Sequence, residues 1–253
     1  MLPVSAFHRI EWTTSPEPLA YEAAVAAMAE RVRAIAAGEA PERVWLLEHE
    51  PVYTAGARSD LRDVLTPPRY PLIATGRGGE ITFHGPGQRV VYVMLDVRRR
   101  LGGDVRKLVG LLESWIIAVL ARLGIDGRIV AGRTGVWVLD PKRRDRRLAK
   151  IAAIGLRISR GISSHGLALN VDPDLSAFDG IVPCGIRDAG VTSLRALGVD
   201  IMLKDVDNLL REEFERRIAP LDAAIATLTL AGTAAASPDS LSSSPPNARR
   251  PAS

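Results

Sequence analysis

The chain has 253 residues, 47% of them hydrophobic and 25% charged, enough apolar material for a sizeable core. Its 33 Lys and Arg against 29 Asp and Glu leave a net charge of +4, and with 5% aromatics and no RNA or DNA motif it does not read as a nucleic-acid binder. A single cysteine, Cys184, excludes an internal disulfide and a multi-thiolate metal site within one chain. Met1 to Trp12 lacks the basic start and apolar stretch of a signal peptide, and the charge-free run from Ala223 to Pro238 is too short to span a bilayer. A cytoplasmic protein with no membrane partner is the expectation.

In chain order, Tyr21, Val25, Met28, Val32 and Ile35 recur at spacings of four and three, predicting an amphipathic helix that stops at Gly38. Strands follow at Arg43 to His49, Glu80 to His84 and Arg89 to Val97. Asp104 caps a second helix that carries Leu108, Leu112, Trp115, Val119 and Leu123 on one side and ends at Gly124. A strand at Thr134 to Asp140 precedes two more, Lys150 to Ser159 and Ser163 to Val171, which read as an antiparallel hairpin turned by Arg160, Gly161 and Ile162. A last helix runs from Lys204 to about Ile218. Strands that succeed one another with helices in blocks predict an α+β fold, with a mixed or mostly antiparallel sheet and flanking helices. Residues 1–230 form one domain on this reading, and the Ser/Ala/Pro-rich residues 231–253 a disordered tail.

Three groups of residues carry chemistry. In "RGGEITFHGPGQ" (Arg77 to Gln88), four glycines and a proline surround a short apolar run and one histidine. The plain reading is a hairpin whose glycines serve only its turns. The spacing matches neither a phosphate-cradling loop nor a dinucleotide fingerprint. Cys184 sits between Pro183 and Gly185, where it is either a small buried hydrophobe or, beside a cation, an activated nucleophile. Lys150 begins an apolar stretch and supplies such a cation if it is not a snorkelling surface residue. A zinc site from Cys184, His84 and His165 lacks a tight ligand pair and a fourth ligand, so no metal is expected.

Taken together, "PVYTAG" (Pro51 to Gly56), "RGGEITFHGPGQ", "LAKIAAIGLRISRGISSHGLALNV" (Leu148 to Val171) and "GIVPCGI" (Gly180 to Ile186) resemble the lipoyl(octanoyl) transferases, over roughly Pro51 to Leu194. The resemblance implies the fold of biotin and lipoate protein ligases around a narrow acyl tunnel. It assigns Cys184 as the acyl-accepting nucleophile and Lys150 as the residue that tunes it. It places Arg77, Gly78, Gly79, Glu80, Ile81, Thr82, Phe83 and His84 along the substrate pocket, with Ala153, Ile154, Gly155, Gly166, Leu167 and Ala168, and leaves His84 and His165 as candidates for an oxyanion donor or an orienting residue. Ala57 and Ser59 depart from a more basic family pattern, and the tail has no counterpart.

The activity so implied is transfer of an octanoyl or lipoyl group from acyl carrier protein, through a cysteine thioester, to a lysine of lipoyl domains, namely those of 2-oxoacid dehydrogenase E2 subunits and the glycine cleavage H protein. It needs no cofactor, because phosphopantetheine arrives on the carrier. Whether Lys150 takes the thiol proton as a neutral amine or pairs with the thiolate as an ammonium stays open. The nearest alternative is an ATP-dependent lipoate or biotin ligase on the same fold, against which Gly85 to Gln88 argue; a non-catalytic acyl-protein or nucleic-acid binding module is the other. Arg143, Arg144, Arg146 and Arg147 in "PKRRDRR" are candidates for docking the acidic carrier.

Overall fold

The computed structural model describes residues 10–140, 148–183 and 189–218. Along them run β1 (Glu11–Thr14), α1 (Tyr21–Ala37), β2 (Arg43–Leu47), β3 (Val52–Ala55), β4 (Leu72–Ala74), β5 (Thr82–His84), β6 (Gln88–Met94), α2 (Val97–Leu101), α3 (Val105–Arg122), β7 (Arg128–Val130), β8 (Arg133–Leu139), β9 (Leu148–Ser159), β10 (Ile162–Asn170), β11 (Gly190–Val191) and α4 (Leu203–Arg217). The tail at 231–253, the loop arginines from Arg143 to Arg147 and Cys184 lie outside the described residues.

The larger sheet has the order β1-β2-β6-β10-β9-β8-β7, with β11 joining β9, and the smaller is β4-β3-β5. Among the described strands only the β1/β2, β9/β11 and β3/β4 pairs are parallel, so the α+β fold with a mixed, mostly antiparallel sheet is what forms. No helix among the described residues is long and apolar enough to cross a membrane.

β6 explains why the large sheet takes helices on both faces. Its run of buried residues alternates: Val91 and Val93 enter a core with Leu112, Trp115 and Ile116 of α3 and Phe214 of α4, while Val90, Tyr92 and Met94 pack with Ala24, Met28 and Val32 of α1. Trp115 also donates its indole N–H to the Leu210 carbonyl at 2.8 Å, fixing α3 against α4. Helix ends follow their sequence signals. Asp104 accepts from the Arg106 and Lys107 amides, and Gly38 takes the left-handed conformation, φ 72°, that stops α1.

Two expectations change. The segment after Met94 does not stay extended to Val97; Asp96 accepts from the Arg99 amide and caps the short α2. Nor do β5 and β6 form a hairpin. β5 pairs antiparallel with β3, β6 pairs with β2 and β10, and Gly85 to Gly87 carry the chain from one sheet to the other.

The hairpin of β9 and β10 forms as expected, turned at Arg160 and Gly161 with φ 53° and 86°, the left-handed pair of a tight primed turn. Both edges of β9 are occupied. Along one lies β8 from Leu148 to Ala152, then the Gly78 amide, which donates to the Leu156 carbonyl at 2.9 Å. Along the other lie β11 at Ala149 and Lys150, then β10 from Ala152 onward.

Candidate functional site

A cavity of about 430 Å³ lies between the two sheets on the α1 side, within the range of roughly 300–1,000 Å³ usual for small-ligand sites. One wall is Arg77, Gly79 and Glu80 of the β4–β5 connection with Thr82 and His84 of β5. The facing wall is Val90 and Tyr92 of β6, Lys150, Ala153, Ile154 and Gly155 of β9, and His165, Gly166, Leu167 and Ala168 of β10. Tyr21 enters from α1, and Arg58 with Gly132, Arg133 and Thr134 completes the lining, where Arg58, Gly132 and Thr134 are exposed.

Strand alternation sorts the expected lining residues of β5. Thr82 and His84 face the cavity, whereas Ile81 and Phe83 turn away into a separate core with Tyr53, Ala177 and Phe178. Gly78 does not face the cavity either. A Cβ there would stand 3.0 Å from the Leu156 carbonyl oxygen, and one at Gly155 2.8 Å from the Gly78 oxygen, so these glycines let the loop close on the edge of β9. Gly78, expected along the substrate pocket, thus meets β9 instead.

Arg77 is the buried keystone of the loop. Its guanidinium donates to the Thr54 carbonyl at 2.7 Å, the Thr54 hydroxyl at 2.7 Å, the Gly78 carbonyl at 3.0 Å and the Glu80 carbonyl at 2.8 Å. A cation held this way leaves its field on the nearby imidazoles. His165 has its pKa lowered to about 4, first by burial and then by Arg77 and Arg157. His84 is held well below the ordinary imidazole value by burial, then by His49 and Arg77. His49 falls to about 4 through burial, although its bond to a carbonyl opposes the shift. In all three rings burial favours the neutral form.

The tautomer of His49 follows from its partners. His49 Nδ1 stands 3.1 Å from the Leu19 carbonyl, which only accepts, so Nδ1 carries the proton and Nε2 accepts from the Tyr92 hydroxyl at 2.9 Å. His84 stacks on Tyr21 with ring planes 7° apart. His165 sits in the middle of β10 with φ 58°, unusual for a residue with a side chain, and its amide N–H meets the Met28 sulfur at 3.0 Å. Such a conformation persists only where surroundings over-determine it.

Lys150 is 6% exposed, and among the described residues its ammonium makes no hydrogen bond or ion pair. It rests 4.8 Å from the centroid of the Trp137 ring. Gly135 lies beside its stem with φ 115°, where a Cβ would meet the Ala152 carbonyl oxygen at 2.5 Å but Lys150 Cε only at an ordinary 3.5 Å. The Gly135 amide is held by the buried Glu113 carboxylate at 3.0 Å.

Cys184 lies outside the described residues, and both flanks of its segment are anchored. Upstream, the Val182 amide donates to the Asp63 carbonyl at 2.8 Å. Downstream, Val191 pairs with Lys150 itself. Among the described residues no group of three or more His, Cys, Asp or Glu is arranged to hold a metal ion.

Sequence reading missed Tyr21, Arg58, Tyr92 and Arg133 as lining residues and His49 behind them. One signal was available: Tyr92 and His49 place polar atoms in apolar strand-like runs, and a buried hydroxyl or imidazole needs a partner.

Comparison with known proteins gives one direction. The lipoyl protein ligase A/B catalytic domain matches residues 20–215. An octanoyltransferase of Paramagnetospirillum magneticum is 55% identical over 205 residues, 81% of this chain and 95% of that one. Another, of Sinorhizobium medicae, is 54% identical over 216 residues, 83% of this chain and 82% of that one. A bi-partite lipoate protein ligase from Thermoplasma acidophilum shares the fold, with a TM-score of 0.58 at 15% identity over 87% of this chain and 91% of that one.

Proposed function

The chain belongs to the lipoyl protein ligase A/B catalytic family and is an acyltransferase, and on that premise we propose that it moves an octanoyl group from acyl carrier protein onto a lysine of lipoyl domains through a thioester on Cys184. The observation that carries this reading is the placement of Lys150. A buried ammonium faces a cavity on a strand whose neighbour, β11, is the downstream anchor of the segment bearing Cys184.

In the first step the Cys184 sulfur attacks the donor carbonyl, a new C–S bond forms, and the bond to the pantetheine sulfur breaks. The thiol proton of Cys184 ends on the departing pantetheine thiol, with Lys150 as the group that holds it in between. In the second step the acceptor amine displaces Cys184, an amide forms, and the amine proton returns to the sulfur. Thioester exchange is nearly balanced and amide formation runs downhill, so the reaction needs no nucleotide and no resident cofactor. Val90, Ala153, Ile154, Leu167 and Ala168 provide the apolar lining for the alkyl chain; each buried methylene contributes about 0.8 kcal/mol. Acceptors of this chemistry are the lipoyl domains of 2-oxoacid dehydrogenase E2 subunits and the glycine cleavage H protein.

The test is intact-mass analysis of the protein after incubation with octanoyl carrier protein and no ATP. An octanoyl adduct that maps to Cys184, vanishes in Cys184→Ala and passes to a lipoyl domain is expected. An adduct retained by Cys184→Ala, or transfer that demands ATP, overturns the reading and favours a ligase.

A further inference from the structure

Behind the cavity runs a chain of four polar groups that begins on the main chain and ends on the His84 imidazole. The Thr192 carbonyl accepts from Asn170 Nδ2 at 2.9 Å. Because a carbonyl has no proton to give, the Asn170 amide is fixed with its Oδ1 outward, and that oxygen accepts from Gln88 Nε2 at 2.9 Å. Gln88 Nε2 also donates to the Phe83 carbonyl at 3.2 Å, so two acceptors independently orient this second amide. Its Oε1 is thereby turned to His84 Nδ1, 2.6 Å away. Gln88 and Asn170 are 2% and 4% exposed, so water does not offer either an alternative.

From this relay we infer that His84 is locked with its proton on Nδ1 and presents Nε2 to the cavity as a lone pair, a hydrogen-bond acceptor that orients the attacking amine, with Gln88 as its positioning residue. An acceptor nitrogen has no proton for a carbonyl oxyanion, which removes His84 from the oxyanion role expected from the sequence. Nε2 makes no hydrogen bond among the described residues, and His84 lines the cavity. The groups facing this ring are Tyr21, His49, Arg77 and His165, and none of them contributes a carboxylate that would favour a charged imidazolium. The incoming nucleophile carries N–H bonds. One of them on Nε2 aims the nitrogen's own lone pair at the acyl carbonyl. The far end of the relay reaches the other side of the site, because the Thr192 amide donates to the Lys150 carbonyl at 3.0 Å.

The inference rests on the proposed transfer for its chemical consequence, but its structural half is testable without turnover. In protein labelled with 15N at histidine, long-range ring correlations of His84 should show a protonated Nδ1 and a bare Nε2 at neutral pH, and Gln88→Met should populate the opposite tautomer. In rapid-quench experiments Gln88→Met should form the acyl-enzyme at a near wild-type rate, while its transfer to a lipoyl domain slows by about ten- to a hundredfold. A wild-type His84 that carries its proton on Nε2 or on both nitrogens overturns the inference. So does a Gln88→Met protein that melts normally but loses both half-reactions equally. An absence of acyl-enzyme in the wild type would instead sink the proposed transfer and leave the tautomer result standing.

Discussion

The Lys150 ammonium lies 4.8 Å from the centre of the Trp137 ring, its neighbour across the β8–β9 pair. An aromatic face attracts a cation by about 1 kcal/mol. Replacing Trp137 with Leu should therefore slow acyl-enzyme formation about fivefold, and Lys150→Met should slow it by about 10²–10⁴-fold as its proton-handling group disappears. Burst kinetics with octanoyl carrier protein read both. Equal rates for Trp137→Leu and wild type would show that the ring is packing only.

Gly135→Ala should destabilise the fold while leaving the cavity composition unchanged. The substitution meets both a φ of 115° and an oxygen at 2.5 Å. Strain of this kind costs about 1–3 kcal/mol before any backbone shift is counted. Thermal or urea unfolding measures it, and a variant of wild-type stability would mean that β8 is free to move away from Lys150.

Stability should fall in mild acid. His49 and His165 have folded pKa values of about 4, below the ordinary imidazole value of 6.5. The unfolded chain binds more protons than the folded one between these limits. The contribution of each ring is thus complete above pH 6.5 and is lost as pH falls toward 4. Each contributes at most roughly 3 kcal/mol over that window. His49→Gln should flatten the slope of unfolding free energy against pH by about one proton. An unchanged slope would mean that His49 is charged in the folded protein.

The cavity lining carries Arg58 and Arg133 beyond Lys150 and Arg77, although an octanoyl thioester is uncharged. Their charge suits an acidic carrier, as does the run of Arg143, Arg144, Arg146 and Arg147 in the sequence. Arg58→Ala with Arg133→Ala should raise KM for the carrier several-fold at low salt and flatten its dependence on ionic strength. An unaltered salt dependence would assign docking elsewhere.

How much of this was legible beforehand depended on segment length and period. The α3 stripe from Leu108 to Leu123, the alternating run of β6 and the β9–β10 hairpin are long enough for their spacing to speak, and each formed. The small sheet was invisible as a unit because β4 and β5 have three residues each and are bounded by glycines and prolines. For the same reason Gly85 to Gly87 read as a hairpin turn, where they are a crossing between sheets. The cavity residues Thr82 and His84 were named from resemblance together with Ile81 and Phe83; only the pleat separates the two sets. Tyr21 and Tyr92 read as core because their apolar bodies fit the helix and strand periods.

The four partners along β9 have one more effect. A shift of this strand by a single position would reverse every side chain on it, carrying Lys150 into the oily layer beneath α3 and bringing Ile151 to the cavity. To permit that, β8, the Gly78 amide, β10 and β11 would all have to let go together. The location of Lys150 is in this way set like a bolt through four plates.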